Sequence, residues 1–161
     1  ISDFGLADEL EIGIKEAKSI IDSFYMNFPE VGEFFQNIIA DATKNGYVST
    51  MFGRRRYLRE LHDANYQVRE FAKRAAMNAP IQGTAADLIK IAMIKVDKAL
   101  KENNFKTKMV LQIHDELLFD VPKDEVEQVS ALVKREMEGA MNLGVPLEVS
   151  VGVGDNWLAA H

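Results

Sequence analysis

Three consecutive polar residues, His114, Asp115 and Glu116, interrupt an otherwise apolar stretch, MVLQIHDELLFDV, at residues 109 to 121. The flanking runs are rich in strand-forming residues, so we predict a β-hairpin that is buried on both faces and carries the acids at its turn. Carboxylates held at a sheet edge can bind Mg²⁺, which usually combines one or two of them with substrate phosphates and water. The alternative is that the acids are ordinary polar turn residues.

A second group consists of Arg74, Asn78 and Gln82, which are four residues apart. In a helix this spacing places them on one face, about 6 Å apart along the axis. Asn and Gln amides can donate hydrogen bonds to the acceptors of the DNA minor groove, where sequence is poorly discriminated. An exposed polar stripe on an amphipathic helix would show the same spacing. Spacing alone therefore leaves both interpretations open.

The composition, 161 residues of which 47% are hydrophobic and 27% charged, is that of one globular domain. There is no cysteine, which excludes disulfides and thiolate zinc sites. No apolar run is long enough to cross a bilayer, so we expect no membrane partner. The opening residues, ISDFGLADEL, lack the features of a signal peptide and have no initiator methionine. We therefore expect a cytoplasmic protein and a piece of a longer chain.

Positive charge is concentrated in one segment, although the net charge of the chain is −6. Residues 44 to 74 contain eight Lys or Arg against three acids, whereas the rest has 11 basic and 22 acidic residues. Arg54, Arg55 and Arg56 crowd a predicted turn within this segment. A basic segment on an acidic body is typical of a polyanion-binding surface, and a solvated charged hairpin is the alternative.

The helices and strands predicted around these residues indicate an α+β fold, helical at the front with a small antiparallel sheet at the back. Apolar spacing indicates a helix in IKEAKSIIDSFYMNF and another that begins at Pro29 and stops at Gly46. We expect Phe34, Phe35 and Trp157 in the core. The further predicted elements are a hairpin around Phe52 and Gly53, a helical region from about 63 to 104 interrupted at Pro80, the His114 hairpin, a helix from about 123 to 141 and a final strand, LEVSVGV.

Three stretches, GYVSTMFGRRRYL, RAAMNAPIQGTAADLIKIAM and QIHDELLFDVP, together resemble the polymerase region of family A DNA polymerases of the bacterial polymerase I type. HDE resembles the family's third polymerase motif, NAPIQGTAADL is at least as specific, and the opening ISDFG resembles the continuation of the second motif. The resemblance runs the full length. It implies a C-terminal fragment that begins just after the second motif, with part of the fingers in residues 1–46 and most of the palm in 47–161.

The resemblance also implies template-directed transfer of nucleotides to a primer 3′ hydroxyl, in DNA replication and repair. The expected partners are primed template DNA, deoxynucleoside triphosphates and the rest of the polymerase chain, at the nucleoid of a bacterial cytoplasm. Asp115 is implied to bind two catalytic Mg²⁺ ions, with Glu116 as a secondary carboxylate. No role carries over to Arg54, Arg55 and Arg56, which we keep as candidate phosphate contacts. The implied DNA contacts are Arg74, Asn78, Gln82 and His114 near the primer end, and Ser2 and Phe4 against the template.

Part of that family's active site is not found in these residues. The first motif, whose aspartate is the other main metal ligand, and the fingers lysine of the second have no counterpart here. We therefore expect the isolated chain to be inactive. Two rival functions stay open: a non-catalytic DNA-binding module in which HDE is an ordinary turn, and a metal-dependent phosphodiesterase that takes its second acid from Asp155 or Asp120.

Overall fold

The computed structural model describes residues 2–160, so the two terminal positions of the predicted fingers and palm parts, Ile1 and His161, lie outside the described residues. Helices predominate and are joined by two separate two-stranded antiparallel sheets, which confirms the α+β class. No helix in this described part is both long enough and apolar enough to span a membrane. The elements in chain order are α1 (Asp3–Leu10), α2 (Ile14–Asn27), α3 (Pro29–Asn45), β1 (Tyr47–Ser49), β2 (Arg55–Tyr57), a 3₁₀ turn (Arg59–His62), α4 (Tyr66–Glu102), β3 (Lys108–Ile113), β4 (Glu116–Asp120), α5 (Val126–Glu138) and α6 (Trp157–Ala160).

The predicted bounds of α3 are confirmed. Pro29 occupies the first turn, where its missing N–H costs no hydrogen bond. Gly46 ends the helix with a φ of 76°, a left-handed conformation that glycine adopts without steric cost, and its N–H donates to the Ala42 carbonyl at 2.8 Å. The chain then enters β1 directly, so this helix end sets where the arginine hairpin starts.

Packing divides the chain into two compact units, one ending at Ile81 and the other starting at Gln82. The first unit has an alanine-rich core in which α3, the β1–β2 hairpin and the first half of α4 approach closely. The predicted boundary between fingers and palm after residue 46 comes from the family resemblance and not from packing, and it stays a prediction. The buried members of this core are Ala42, Val48, Leu58, Leu61, Ala72 and Ala76.

The second unit packs the later part of α4 and helix α5 against the β3–β4 hairpin. Val96 on α4 is completely buried, as the apolar stripe of a core-facing helix requires. Asn104, at a φ of 56°, turns the chain out of α4, and the next N–H, of Phe105, donates to Leu100 at 3.1 Å. The cluster consists of Val96, Ala99, Leu100, Val129, Leu132 and Val133, with Phe105, Met109, Phe119, Val121 and Met137 packed against it.

Helix α4 runs through Pro80 without a break, so the predicted interruption is wrong. A proline removes one N–H and crowds one carbonyl, a cost of about 3 kcal/mol. The 37 residues of this helix supply many other backbone hydrogen bonds, and burial of Ala72 and Ala76 holds the preceding turns in place. Tertiary packing thus outweighs the local preference of proline.

Three other expectations are wrong because apolar sequence does not guarantee burial. Val110 and Leu111 of β3 are 58% and 52% exposed, so the hairpin is not buried on both faces. The residues LEVSVGV do not form a strand, since no strand within residues 2–160 pairs with them. Two of the aromatic residues expected in the core, Phe34 and Trp157, are about half exposed.

Candidate functional site

The turn between β3 and β4 presents the acidic pair. The strands pair antiparallel up to Ile113 and Glu116, which leaves His114 and Asp115 as a two-residue loop. Such loops fit the twist of the flanking strands when the first residue has a positive φ, and His114 adopts 51°. The Gln112 side-chain amide donates to the His114 carbonyl and braces the loop. A non-glycine residue in this conformation costs about 1–2 kcal/mol, so the loop is strained where it presents Asp115.

The acids differ in exposure and in place. His114 and Asp115 are exposed, whereas Glu116 is half-buried. Asp120 lies at the other end of β4, opposite Lys108, about 16 Å along the strand from Asp115. A metal–oxygen bond is about 2 Å long, so Asp120 cannot share an ion with Asp115. Nowhere in residues 2–160 do three or more His, Asp or Glu side chains converge on a metal position.

The predicted arginine hairpin is present, and Thr50 shapes its loop. The Thr50 hydroxyl accepts hydrogen bonds from the N–H groups of Phe52 at 3.3 Å and Arg54 at 3.2 Å. Gly53 has a φ of 81°, which completes the turn without a steric penalty. The loop therefore has a defined geometry that fixes the direction of the strand after it.

The register of this hairpin separates its arginines. Arg55 pairs with Ser49, and Arg56 pairs with the buried Val48, so the two side chains project from opposite faces. The Arg55 guanidinium carbon lies 4.5 Å from the centre of the Tyr47 ring, a cation–π contact. Arg56 lines a depression together with Phe71 of α4. Arg55 and Arg56 therefore lie on opposite faces of the hairpin.

The polar positions predicted on α4 are exposed. Arg74, Asn78 and Gln82 all lie on this helix at intervals of four and face solvent. The Arg74 guanidinium carbon is 6.0 Å from the ring centre of Phe71, which is 63% exposed. Phe71 thus lies next to Arg74 and also borders the depression that Arg56 lines, within the first unit.

The two residues expected against the template lie at the start of α1. The Ser2 hydroxyl accepts a hydrogen bond from the Gly5 N–H at 3.0 Å and caps the helix. Phe4, on the first turn, is 69% exposed. The Ser2 oxygen thus has a structural partner, whereas the Phe4 ring is available for stacking.

Sequence reasoning missed one charged contact, made by Glu125. Its carboxylate accepts hydrogen bonds from the Lys106 N–H at 2.9 Å, the Thr107 N–H at 3.0 Å and the Thr107 hydroxyl at 2.7 Å. Burial acts to raise the pKa of Glu125, but these hydrogen bonds outweigh it and hold the pKa below its ordinary value. The partners are 18 and 19 residues away in sequence, so no local pattern indicates the contact.

The chain is similar to known proteins of one family. The family model of DNA polymerase family A matches residues 1–159. DNA polymerase I of Mycobacterium bovis is 52% identical over 160 residues, 99% of this chain and 18% of the relative. DNA polymerase I of Caldicellulosiruptor bescii is 49% identical over 157 residues, 98% of this chain and 18% of the relative. The chain thus spans about a fifth of the length of these relatives.

A solved structure is also similar. The polymerase domain of Pol1 from M. smegmatis, in complex with DNA primer-template and dNTP, superposes with a TM-score of 0.95 at 50% identity. The match covers 99% of this chain and 28% of that one. Sequence and structure lead to the same assignment: this chain belongs to DNA polymerase family A.

Proposed function

We propose that the chain is the fingers and palm portion of a DNA-directed DNA polymerase that acts in replication and repair in the bacterial cytoplasm, at the nucleoid. We name the full-length enzyme the parent polymerase. The observation that carries this proposal is the 0.95 TM-score at 50% identity to a polymerase domain whose complex contains DNA primer-template and dNTP. In the reaction, a primer 3′ hydroxyl attacks a deoxynucleoside triphosphate and pyrophosphate leaves.

Asp115 and Glu116 would hold Mg²⁺ in the parent polymerase. The chemistry of these donors fits the ion, because an exposed carboxylate beside a half-buried one supplies the one or two protein oxygens that Mg²⁺ takes when substrate phosphates complete its shell. When bound, two such ions activate the attacking oxygen and stabilise the leaving one. The contribution of this chain is to hold the Asp115 carboxylate in a two-residue loop in which His114 has a positive φ.

Other residues would bind the primed duplex. Asn78 and Gln82 can donate side-chain N–H groups to minor-groove acceptors, which supports binding without regard to sequence. Arg74 and Arg56 carry charge that can neutralise backbone phosphates on one side of the first unit. His114 would lie near the primer terminus, and Ser2 and Phe4 near the template, where the exposed Phe4 ring offers a stacking surface.

The test is Asp115→Ala in the parent polymerase, with Asp120→Ala as a matched control on the same hairpin. We expect Asp115→Ala to lower the single-turnover incorporation rate on a primed template by several orders of magnitude and to leave the affinity for that template within about twofold. The reason is that the acid acts through metal positioning and not through DNA contact. Asp120→Ala, at the far end of β4, should leave both quantities unchanged.

The competing function is a non-catalytic DNA-binding module. The exposed cations on the β1–β2 hairpin and α4 are the observations that favour it. Normal single-turnover incorporation by Asp115→Ala would refute the metal assignment. The His114 hairpin would then be an ordinary turn, and the binding module would become the better description.

A further inference from the structure

Glu125 lies at the N-cap position of α5, but its side chain makes no capping hydrogen bond to that helix. It reaches the two residues that precede β3 and accepts hydrogen bonds from both of their backbone N–H groups and from the Thr107 hydroxyl. Thr107 is 7% exposed and is the buried polar residue of this region. A residue that follows β4 therefore holds the segment that precedes β3, which closes the open end of the hairpin.

The hairpin benefits from such a constraint because only two strands pair in it. Two-stranded hairpins are marginally stable in water. The register of β3 against β4 shifts between Met109 and Leu111, and the turn contains the strained His114. A slip of one residue would move every side chain of the strand to the opposite face. Contacts outside the two-stranded ladder therefore contribute to excluding that slip.

Apolar packing also anchors the hairpin, but with less directional control. Met109 and Phe119 contact the cluster around Val96. Hydrophobic contact is non-directional and depends mainly on the area removed from water. The hydrogen bonds to Glu125 come from two consecutive backbone N–H groups with strict distance and angle requirements, so they distinguish one register from its neighbour.

We propose that Glu125 is a positioning residue for the polymerase reaction: by fixing the register of β3 against β4, it fixes where Asp115 stands. The inference rests on the proposed function for its catalytic consequence, although the register clamp is a structural statement that can be tested independently. Glu125 acts through the hairpin and touches no reacting atom, since Asp115 is at the opposite end of it.

The experiment compares Glu125→Gln with Glu127→Gln in the parent polymerase. Both changes remove one negative charge near the start of α5, but Glu127 is exposed, and the hydrogen bonds of residues 106–107 go to Glu125. Two quantities are measured: amide hydrogen exchange of the peptide covering 108–120 relative to that covering 129–138, and single-turnover incorporation together with the Kd for primed DNA. Thr107→Val and Thr107→Ser, which remove and retain the hydroxyl, provide a milder pair if Glu125→Gln does not fold.

For Glu125→Gln we expect exchange to become at least about tenfold faster in 108–120 and to stay unchanged in 129–138. The incorporation rate should fall by about 10- to 100-fold, in line with the effect of a 1 Å error in placement, while the Kd for DNA changes less than about twofold. Thr107→Val should show the same pattern with smaller changes, and Thr107→Ser should restore the rate. Glu127→Gln should match the wild type.

Each failure has a distinct meaning. Unchanged exchange in 108–120 would overturn the clamp. Faster exchange with normal incorporation would overturn the positioning role and leave Glu125 as a stabilising residue only. Normal incorporation by Asp115→Ala would instead refute the proposed function, whatever the exchange data show, so the two proposals can fail separately.

Discussion

Arg55 and Arg56 project from opposite faces of the β1–β2 hairpin, so we expect them to contribute unequally to DNA binding. We compare the single substitutions Arg55→Ala and Arg56→Ala with the double variant in the parent polymerase. Arg56 borders a depression with Phe71, which Arg74 contacts, whereas Arg55 is held over the Tyr47 ring. We therefore predict that Arg56 contacts a phosphate and Arg55 does not.

The magnitude follows from counterion release. Each phosphate contact contributes about −0.9 to the slope of log K against log salt concentration. Arg56→Ala should make the slope less steep by about 0.9, Arg55→Ala should leave it unchanged, and the double variant should match Arg56→Ala. Between 50 and 200 mM salt, one lost contact reduces the salt-dependent drop in affinity by about 3.5-fold.

The assay is fluorescence anisotropy of a labelled primed duplex titrated with the parent polymerase at several KCl concentrations. The affinity at each salt concentration gives the slope for each variant. If both single substitutions made the slope less steep by equal amounts, and the double variant made it less steep by about 1.8, the separation of faces would be refuted. Unchanged slopes for all three variants would return Arg55 and Arg56 to the reading of a solvated charged hairpin.

Three further predictions concern stability and activity. Val96→Ala removes two carbon groups from a fully buried site, so it should lower the free energy of unfolding by about 2 kcal/mol, measured by urea denaturation, whereas Val110→Ala at a site 58% exposed should change it by less than about 0.5 kcal/mol. Because hydrogen bonds hold the pKa of Glu125 below its ordinary value, the stability it contributes is present near neutral pH and is lost as the pH falls through the lowered pKa. The stability difference between wild type and Glu125→Gln should therefore shrink as the solution is acidified, and a difference that stays equal from neutral pH to acid would contradict this assignment. The isolated 161-residue chain should extend no primed template with Mg²⁺ and all four triphosphates, because the first-motif aspartate is not among its residues, and template-dependent incorporation that Asp115→Ala abolishes would show the opposite.

The sequence predicts elements well where a local steric rule decides them. Pro29 and Gly46 bound α3 because one residue fits a first helical turn and the other a left-handed helix end. Likewise, both hairpins appear where loop residues separate strand-forming runs. In these cases the decisive interaction lies within a few residues, so it can be read from spacing.

The features that the sequence did not predict correctly depend on interactions between residues that are distant in sequence. Leu111 and the residues LEVSVGV have strand-like composition, but exposure and pairing depend on which other elements are present to cover them. Pro80 stays helical because the surrounding turns are packed. The bonds from Lys106 and Thr107 to Glu125 join positions almost twenty residues apart, for which a single sequence has no period. The metal and DNA roles come from family resemblance, and they stay predictions until the substitutions are measured.

The exposed side of β3 has a consequence for handling the isolated chain. In a two-stranded sheet each strand keeps one row of backbone N–H and C=O groups without a ladder partner, and Val110 and Leu111 add apolar surface beside that row. Such an edge can accept another extended segment, including one from a second copy, and so favours association as the concentration rises. The irregular register between Met109 and Leu111 opposes this, because a bulge interrupts the straight template that an added strand needs. The irregularity in β3 therefore counteracts the association that its exposed edge favours.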